Sequence, residues 1–595
     1  MSTYQIAQRA DTLNLVDVLR QRAQHQPERL AFTFLQRASV EESQITYEEL
    51  DLQARTIGAI LQRKGAAGKP VLLLHPPGLE YVAAFFGCLY AKAIAVPAYP
   101  PHSARMLPRI QAIITDTQAN IVLTTKETLT SIQSNLALRP ALEQLEWIAT
   151  DTLDSRLSDL WQEPMIQATD LAFLQYTSGS TDVPKGVMVA HSNLIHNLAM
   201  ISRQCGQTSE GHCVSWLPPY HDLGLICGIL YPCYEGFPAT LMAPVTFLQR
   251  PFLWLQAMST HKATLSMAPS FAYELCCRKV TPEQRATLDL SHWEVAANGG
   301  EPVRSDTLQR FTSTFGPCGY SSTTHFPGYG MAETTLIVAT SYAKAPFISA
   351  AFSEHELQQG RAVEVSPQEQ GARTIIGYPH MSPDQQVIVV DPETRLQCAP
   401  GKIGEIWAAG PSVTKGYWRN PEDTEKTFHA YTVDPKQGPF LRTGDLGFLK
   451  DDALFVAGRT KDLLIIRGLN HYPQDIELTV ERSHRAIRPG CCAAFSIEAD
   501  ENEQLVVLAE IDPRYRATVG ATTADAEENT QRKSLDPQEV VTAIRAAIAE
   551  EHDLQIYRVL LLKAGGVLKT SSGKLQRRAS RAEFLAERLE FWNEE

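Results

Sequence analysis

Apolar positions recur at helical spacing in Glu48–Gln62, where Leu50, Ile57, Ile60 and Leu61 share one face, so the pattern predicts an amphipathic helix. Leu79–Tyr90 is apolar nearly all round, as a buried helix is. Val71–Leu74 and Ile121–Thr124 are short unbroken apolar runs that suit strands covered on both faces. Leu171–Tyr176 reads as another strand, and Ser192–Ile201 as a helix with Leu194, Leu198 and Ile201 aligned. Strands separated by helices predict layered, largely parallel sheets. No short-period repeat interrupts the alternation. The most apolar stretch, Tyr81–Tyr99, is broken by Lys92 and Pro97 and predicts a buried helix running into a strand. Nowhere does the sequence hold the run of about eighteen apolar residues that a spanning helix needs.

A second architecture begins near Asp462. Leu454–Arg459 and Leu463–Ile466 flank that point, and the remainder of the chain is more charged. Pro513–Leu535, rich in Ala, Thr, Glu and Arg, predicts a loose loop. Asp536-Pro537-Gln538-Glu539 then predicts a helix start, with an Asp cap, Pro in the first turn and Glu three residues after the cap. The tail Ser580–Glu595 is amphipathic through Phe584, Leu585, Leu589 and Trp592 and is expected to pack on its own domain. At 595 residues the chain exceeds one core. The expected fold is α/β: a large N-terminal domain of layered α/β sheets and a smaller, mobile α+β C-terminal domain.

Hydrophobic content of 44% and charged content of 20% suit a globular chain. A net charge of −13 argues against nucleic acid as a general partner. The 11 cysteines include the adjacent pairs Cys276-Cys277 and Cys491-Cys492 but no CxxC, and the count is odd. That usage predicts reduced thiols in a cytoplasmic protein rather than a disulfide frame or zinc site. The first residues, Met1–Leu13, are polar and lack the apolar core of a secretory signal.

Chemistry concentrates first in Tyr176-Thr177-Ser178-Gly179-Ser180-Thr181-Asp182-Val183-Pro184-Lys185-Gly186-Val187. A strand-like run precedes it and a helix-like run follows. Strand–loop–helix is a place where backbone N–H groups converge on an anion. Glycines allow close approach, hydroxyls donate, and Lys185 supplies a point charge. The spacing departs from the mononucleotide P-loop, since Gly186 rather than Ser or Thr follows the lysine. Taken alone, a Ser/Gly/Thr cluster is commonly a solvated loop. The whole stretch resembles the adenylate-forming superfamily of acyl-CoA synthetases, peptide-synthetase adenylation domains, luciferases and fatty acyl-AMP ligases. The resemblance implies that Thr177, Ser178, Gly179, Ser180, Thr181 and Lys185 hold the triphosphate of ATP, with Thr177 also near Mg²⁺.

Six further segments follow in the order that this family requires. Ser215–Gly224 carries His221 after a Pro-Pro turn; by resemblance His221 lies near the acyl carboxylate and α-phosphate. Asn298–Arg304 follows an apolar strand-like run, and Gly299, Gly300, Glu301 and Pro302 are implied in the adenine pocket. In Gly328–Thr335, Tyr329, Gly330 and Met331 are implied at the nucleotide. There Tyr329 can stack on adenine, and Glu333 is a hard oxygen ligand suited to Mg²⁺. Leu441–Gly447 places Asp445 in what reads as a tight turn. Its carboxylate suits two vicinal ribose hydroxyls. Gly458–Asp462 adds Arg459 for ribose or phosphate and, by resemblance, a hinge at Asp462. Lys569–Arg577 supplies Lys574, which the resemblance makes the lysine that swings in to bridge carboxylate and α-phosphate.

The resemblance runs over nearly the whole chain and divides it into an adenylation domain, 1–461, and a mobile domain, 462–595. Trp216–Asp222 and Asn470–Glu477 look most like fatty acyl-AMP ligases. These activate medium or long fatty acids with ATP and Mg²⁺ and pass them to the phosphopantetheine arm of a holo acyl carrier protein. They carry an extra segment that hinders use of free coenzyme A. Polar, glutamine-rich Pro346–Ala372 is placed there, since a loop of that length is uncommon without function. Asp182, where the family often has a small residue, and Leu568, where proline commonly precedes Lys569, are departures. An acyl-CoA synthetase and a non-catalytic nucleotide-binding protein are the alternatives. An amino-acid adenylation enzyme would need an acid for the substrate amine, and no position can be given that role.

Overall fold

The computed structural model describes residues 14–36, 42–101, 103, 106–135, 137–177, 184–466, 469–499, 502–517, 533–570 and 573–592. Thr46 caps the helix Tyr47–Arg63, accepting from Glu49 N while the Glu49 carboxylate accepts from Thr46 N. Its apolar face packs on Leu79–Tyr90, whose residues are buried on almost every side. That second helix lies between two sheets and touches strands of both, so its all-round hydrophobicity has a place to go.

Among the described residues, the first of these sheets has six strands in the order 146–149, 121–124, 70–73, 94–97, 171–176 and 186–190. All pair in parallel except the last, which is antiparallel to its neighbour. The second has nine strands. Its parallel middle runs 325–329, 295–298, 265–268, 213–215, 239–242 and 30–35, with antiparallel edges. A third, fully antiparallel six-stranded sheet follows, in the order 348–353, 372–378, 453–459, 441–450, 404–409 and 386–390. The C-terminal portion folds around strands 487–499, 502–511 and 556–562, flanked by helices Pro473–Ser483 and Pro537–His552.

Three sequence expectations are corrected. The phosphate-type loop does not run from strand into helix. Gly186–Ala190 forms a strand antiparallel to Leu171–Tyr176, and the helix His191–Cys205 starts only after it. The apolar run Gly186–Ala190 finds a partner across a hairpin, which removes the helix N-terminus from the loop. Asp445 is not in a tight turn. It sits inside the strand Leu441–Lys450, next to Gly444, whose φ is +72°, where the pairing with Gly404–Ala409 shifts register. Pro513–Leu535 is not wholly loop, because Tyr515–Ala517 and Lys533–Leu535 pair in parallel. Asp536 does cap the following helix, accepting from Gln538 N at 2.9 Å. In the tail, Phe584, Leu589 and Phe591 pack on the C-terminal sheet, whereas Leu585 is exposed.

Pro346–Ala372 is ordered. It supplies strand Ile348–Ser353 and helix Glu354–Gln358, and buries Phe352 and Leu357. It also touches the C-terminal portion: Glu354 pairs with His552 Nδ1 at 2.7 Å. Just beyond it, Arg373 pairs with Asp475 at 3.0 Å and lies over the Tyr472 ring. All 11 cysteines are unpaired thiols, and among the described residues no helix is long and apolar enough to cross a membrane.

Candidate active site

The site forms where the C-terminal ends of the strands of the nine-stranded sheet meet the third sheet and a turn from the C-terminal portion. That turn is built locally. Thr570 N donates to the Lys574 carbonyl at 2.7 Å, Gly573 N to the Thr570 carbonyl, and Lys574 N to Thr570 Oγ1. The Leu568 carbonyl closes its base by accepting from Gln576 N. At its tip Lys574 reaches Gly300. A Cβ placed on Gly300 would lie 3.7 Å from Lys574 Cε and 3.9 Å from Nζ. Gly300 has φ +82°, a left-handed conformation that favours glycine. Burial holds the Lys574 ammonium below its ordinary range, with Asp222, Glu301 and Asp445 pulling the other way and Arg459 adding to the depression.

His221 and Asp222 come from the turn after strand Cys213–Ser215. Tyr81 Oη donates to the Pro219 carbonyl and Gln175 Nε2 to the Tyr220 carbonyl, fixing the turn from below. His221 Nδ1 lies 2.6 Å from Asp222 Oδ1. Burial opposes a charged Asp222, but His221 and Lys574 outweigh it and hold the carboxyl at about 2. Asn298 ends the parallel strand Val295–Asn298, and Gly299 and Gly300 follow it. Glu301 accepts from Phe271 N at 2.8 Å, and burial raises its pKa. The Pro302 carbonyl faces Ser270 Oγ.

Tyr329 donates its hydroxyl to Asp445 Oδ2 at 2.8 Å, and Arg459 Nε lies 3.0 Å from Asp445 Oδ1. Asp445 and Arg459 are register partners on adjacent antiparallel strands. Gly330 is pressed against the chain: a Cβ there would lie 1.7 Å from the Leu336 carbonyl oxygen. Met331 packs beside the main core and closes a turn with Thr334. Glu333 is buried, and burial raises its pKa. Thr177 N donates to the Lys185 carbonyl at the base of the hairpin. Ser178, Gly179, Ser180, Thr181 and Asp182 lie outside the described residues.

The pattern of AMP-binding enzymes matches residues 19–418. The chain belongs to the AMP-binding enzyme family. The pattern of the Disco-interacting protein 2-like AMP domain matches residues 461–594. A medium-chain-fatty-acid–[acyl-carrier-protein] ligase, JamA of Moorena producens, is 44% identical over 97% of this chain and 96% of its own length. The 4-hydroxyphenylalkanoate adenylyltransferase of Mycobacterium tuberculosis is 36% identical over 96% and 92%. The crystal structure of a fatty acyl-adenylate ligase from L. pneumophila, in complex with acyl adenylate and pyrophosphate, is 37% identical. It covers 96% of each chain at a TM-score of 0.74. Within the AMP-binding enzymes this chain therefore falls with the fatty acyl-AMP ligases.

Three residues of this family member were missed from the sequence. Tyr417 donates its hydroxyl to Glu333 Oε1 at 2.9 Å. Its ring also lies 5.0 Å from Lys185 Nζ. Asp423 pairs with Lys185 at 2.6 Å. Arg577 binds Glu477 through two nitrogens and Asp462 through a third. Each contact joins residues far apart along the chain, which leaves no local pattern to read. Trp254 is fully buried and donates to Ser266 Oγ at 2.9 Å. Phe271 lies nearer the site, between Trp216 and Gly573.

Proposed function

We propose that this enzyme is a fatty acyl-AMP ligase. It activates a medium- or long-chain fatty acid with ATP to acyl-adenylate and pyrophosphate, then passes the acyl group to the phosphopantetheine thiol of a holo acyl carrier protein in the cytoplasm. The observation that carries this reading is Lys574, delivered from the C-terminal portion to Gly300, among Asp222, Glu301, Asp445 and Arg459.

The chemistry demands that a carboxylate approach a phosphorus ringed by negative oxygens. Positioning and charge neutralisation therefore do most of the work. The Lys574 ammonium bridges the fatty carboxylate and the α-phosphate. His221, braced by Asp222, lines the same approach. Asp445 and Arg459 orient the ribose, Tyr329 and the 299–302 turn hold the adenine, and the loop from Thr177 to Lys185 takes the β- and γ-phosphates. Glu333, a buried carboxylate with one oxygen already held by Tyr417, fits Mg²⁺ together with Thr177 and substrate phosphates, because that ion is commonly bound by one or two carboxylates plus phosphate oxygens. Bound there, Mg²⁺ would neutralise charge on the departing pyrophosphate. The thiol then attacks the acyl carbonyl and AMP departs. Lys574 must withdraw for this, so the domain 462–595 turns on 1–461 about Asp462 between steps. The segment 346–372, bound to that domain through Glu354 and His552, favours the carrier protein over free coenzyme A.

The test is to incubate the enzyme with ATP, Mg²⁺ and dodecanoate, then add either coenzyme A or holo acyl carrier protein. Acyl-AMP that survives coenzyme A and is consumed by the carrier protein is expected. Rapid acyl-CoA formation would move the enzyme to the acyl-CoA synthetases. ATP binding without pyrophosphate release would leave it a nucleotide-binding protein.

A further inference from the structure

Arg577 begins the helix Arg577–Leu585, three residues beyond Lys574. Its guanidinium is held on three sides. Nε and Nη2 donate to the two oxygens of Glu477, each at 2.7 Å, and Nη1 donates to Asp462 Oδ2 at 2.8 Å. Glu477 is in turn fixed by Ala494 N at 3.0 Å, so its carboxylate belongs to the rigid body of the C-terminal portion. Asp462 does not belong to that body in the same way. It lies in the short turn Thr460–Asp462, which follows the strand Ala453–Arg459 of the third sheet. Arg578, the next residue of the helix, donates to the Lys461 carbonyl of the same turn. The helix that follows the reactive lysine is therefore pinned at its first two residues to the segment linking the two portions.

The Arg577 and Asp462 side chains retain only 18% and 16% of their exposure, and Glu477 retains 6%, so these charges interact with little screening by water. A bidentate guanidinium–carboxylate contact also fixes direction. Rotation about the linking turn changes the relation of Asp462 to the body that holds Glu477. The third bond of Arg577 is thus the one that reports the angle of the hinge.

We propose that Arg577 is a positioning residue, and that its bond to Asp462 is a latch that favours the pose in which Lys574 is inserted beside Gly300. This deepens the ligase reading and rests on it. Closing the latch places the lysine for adenylate formation, and opening it frees the domain to turn for thiol transfer. Breaking it slows the first half-reaction and spares the second.

The experiment uses the full chain and the variants Asp462→Asn, Arg577→Lys and their combination. Adenylation is read as pyrophosphate release with dodecanoate. Transfer is read separately, from purified dodecanoyl-adenylate to holo acyl carrier protein. For Asp462→Asn, kcat of adenylation should fall about ten-fold, as loss of a charged hydrogen bond implies. KM for ATP and acid should stay within about two-fold and transfer should not slow. The combined variant should be no worse than the more impaired single one, because both weaken the same charged contact. Equal slowing of both half-reactions, full additivity, or unchanged adenylation would each overturn the latch. Asp462→Asn preserves shape and leaves the Arg577–Glu477 contact intact, so its outcome stands even if Arg577→Lys fails to fold. If the wild-type enzyme forms no adenylate, the ligase reading fails; if it does and the split is absent, only the latch fails.

Discussion

Lys574 and Glu333 are both charged groups that the fold has partly or wholly removed from water, and the fold treats them differently. Lys574 is surrounded by three carboxylates that favour its charged form against burial. Lys574→Ala should lower adenylation by at least about 100-fold while ATP still binds, as expected for loss of a charge aimed at the developing transition state. Near-normal pyrophosphate release from that variant would remove the lysine from the reaction. Glu333 is oriented through Tyr417, which also faces Lys185. Tyr417→Phe keeps the ring and removes the hydroxyl. Adenylation at limiting Mg²⁺ should drop roughly ten-fold and recover in part as Mg²⁺ is raised. A Mg²⁺ titration that superimposes on the wild type would separate Tyr417 from the metal role proposed for Glu333. The motifs around Lys574 and Glu333 could be read from the sequence because each is contiguous. Tyr417 could not, because it lies 84 residues from Glu333 and only the fold joins them.

At the scale of elements, the segment 346–372 is a strand and a helix that close over Phe352 and Leu357. Its contact with the C-terminal portion is partly apolar, since Phe352 and Leu357 share a buried cluster with Tyr472, and partly the ion pair of Glu354 with His552. Burial works against a charged His552, but Glu354 outweighs it and raises the ring's pKa. Glu354→Gln keeps the helix and removes that partner. The ratio of coenzyme A turnover to carrier-protein turnover should rise a few-fold, as removal of one charged hydrogen bond from a domain contact implies. An unchanged ratio in a folded variant would detach this segment from acceptor choice. The limits of helix Leu79–Tyr90 and strand Ile121–Thr124 were legible because uninterrupted burial leaves uninterrupted apolar runs, and the strand expected at Val71–Leu74 lies one residue earlier, at Pro70–Leu73. The hairpin after Tyr176 was not, since Gly186 reads as the end of a loop and the pairing of Gly186–Ala190 depends on a strand across the glycine-rich turn. Asp445 was misread for a related reason: Gly444 next to an acid signals a turn, but here it accommodates a register shift inside a long strand.

For the whole molecule, acid should act mainly through buried imidazoles. Burial holds His75 at about 3 and His191, His212 and His325 at about 4, against an ordinary value of 6.5. Unfolding lets each ring take a proton that the folded interior refuses. Stability from these groups is therefore complete above pH 6.5 and is lost progressively as pH falls from 6.5 toward 4, at about 1.4 kcal/mol per ring and pH unit. Asp475 runs the other way: burial lifts it to about 6, so mild acid relieves it. Glu301, Glu333 and His552 are raised as well, but by less than the four rings are lowered, so the balance is a net loss. The thermal midpoint should fall between pH 6.5 and 5, and His75→Gln should flatten that slope. A midpoint that rises over this range would contradict the balance.

The berth beside Gly300 holds one occupant at a time. In the proposed reaction, no thiol can follow the same line while the ammonium sits there, and the anhydride made in front of it is shielded on that side from bulk water. Deprived of an acceptor, the enzyme should release pyrophosphate in a single stoichiometric burst and then stand idle, guarding a perishable intermediate until a partner arrives to collect it.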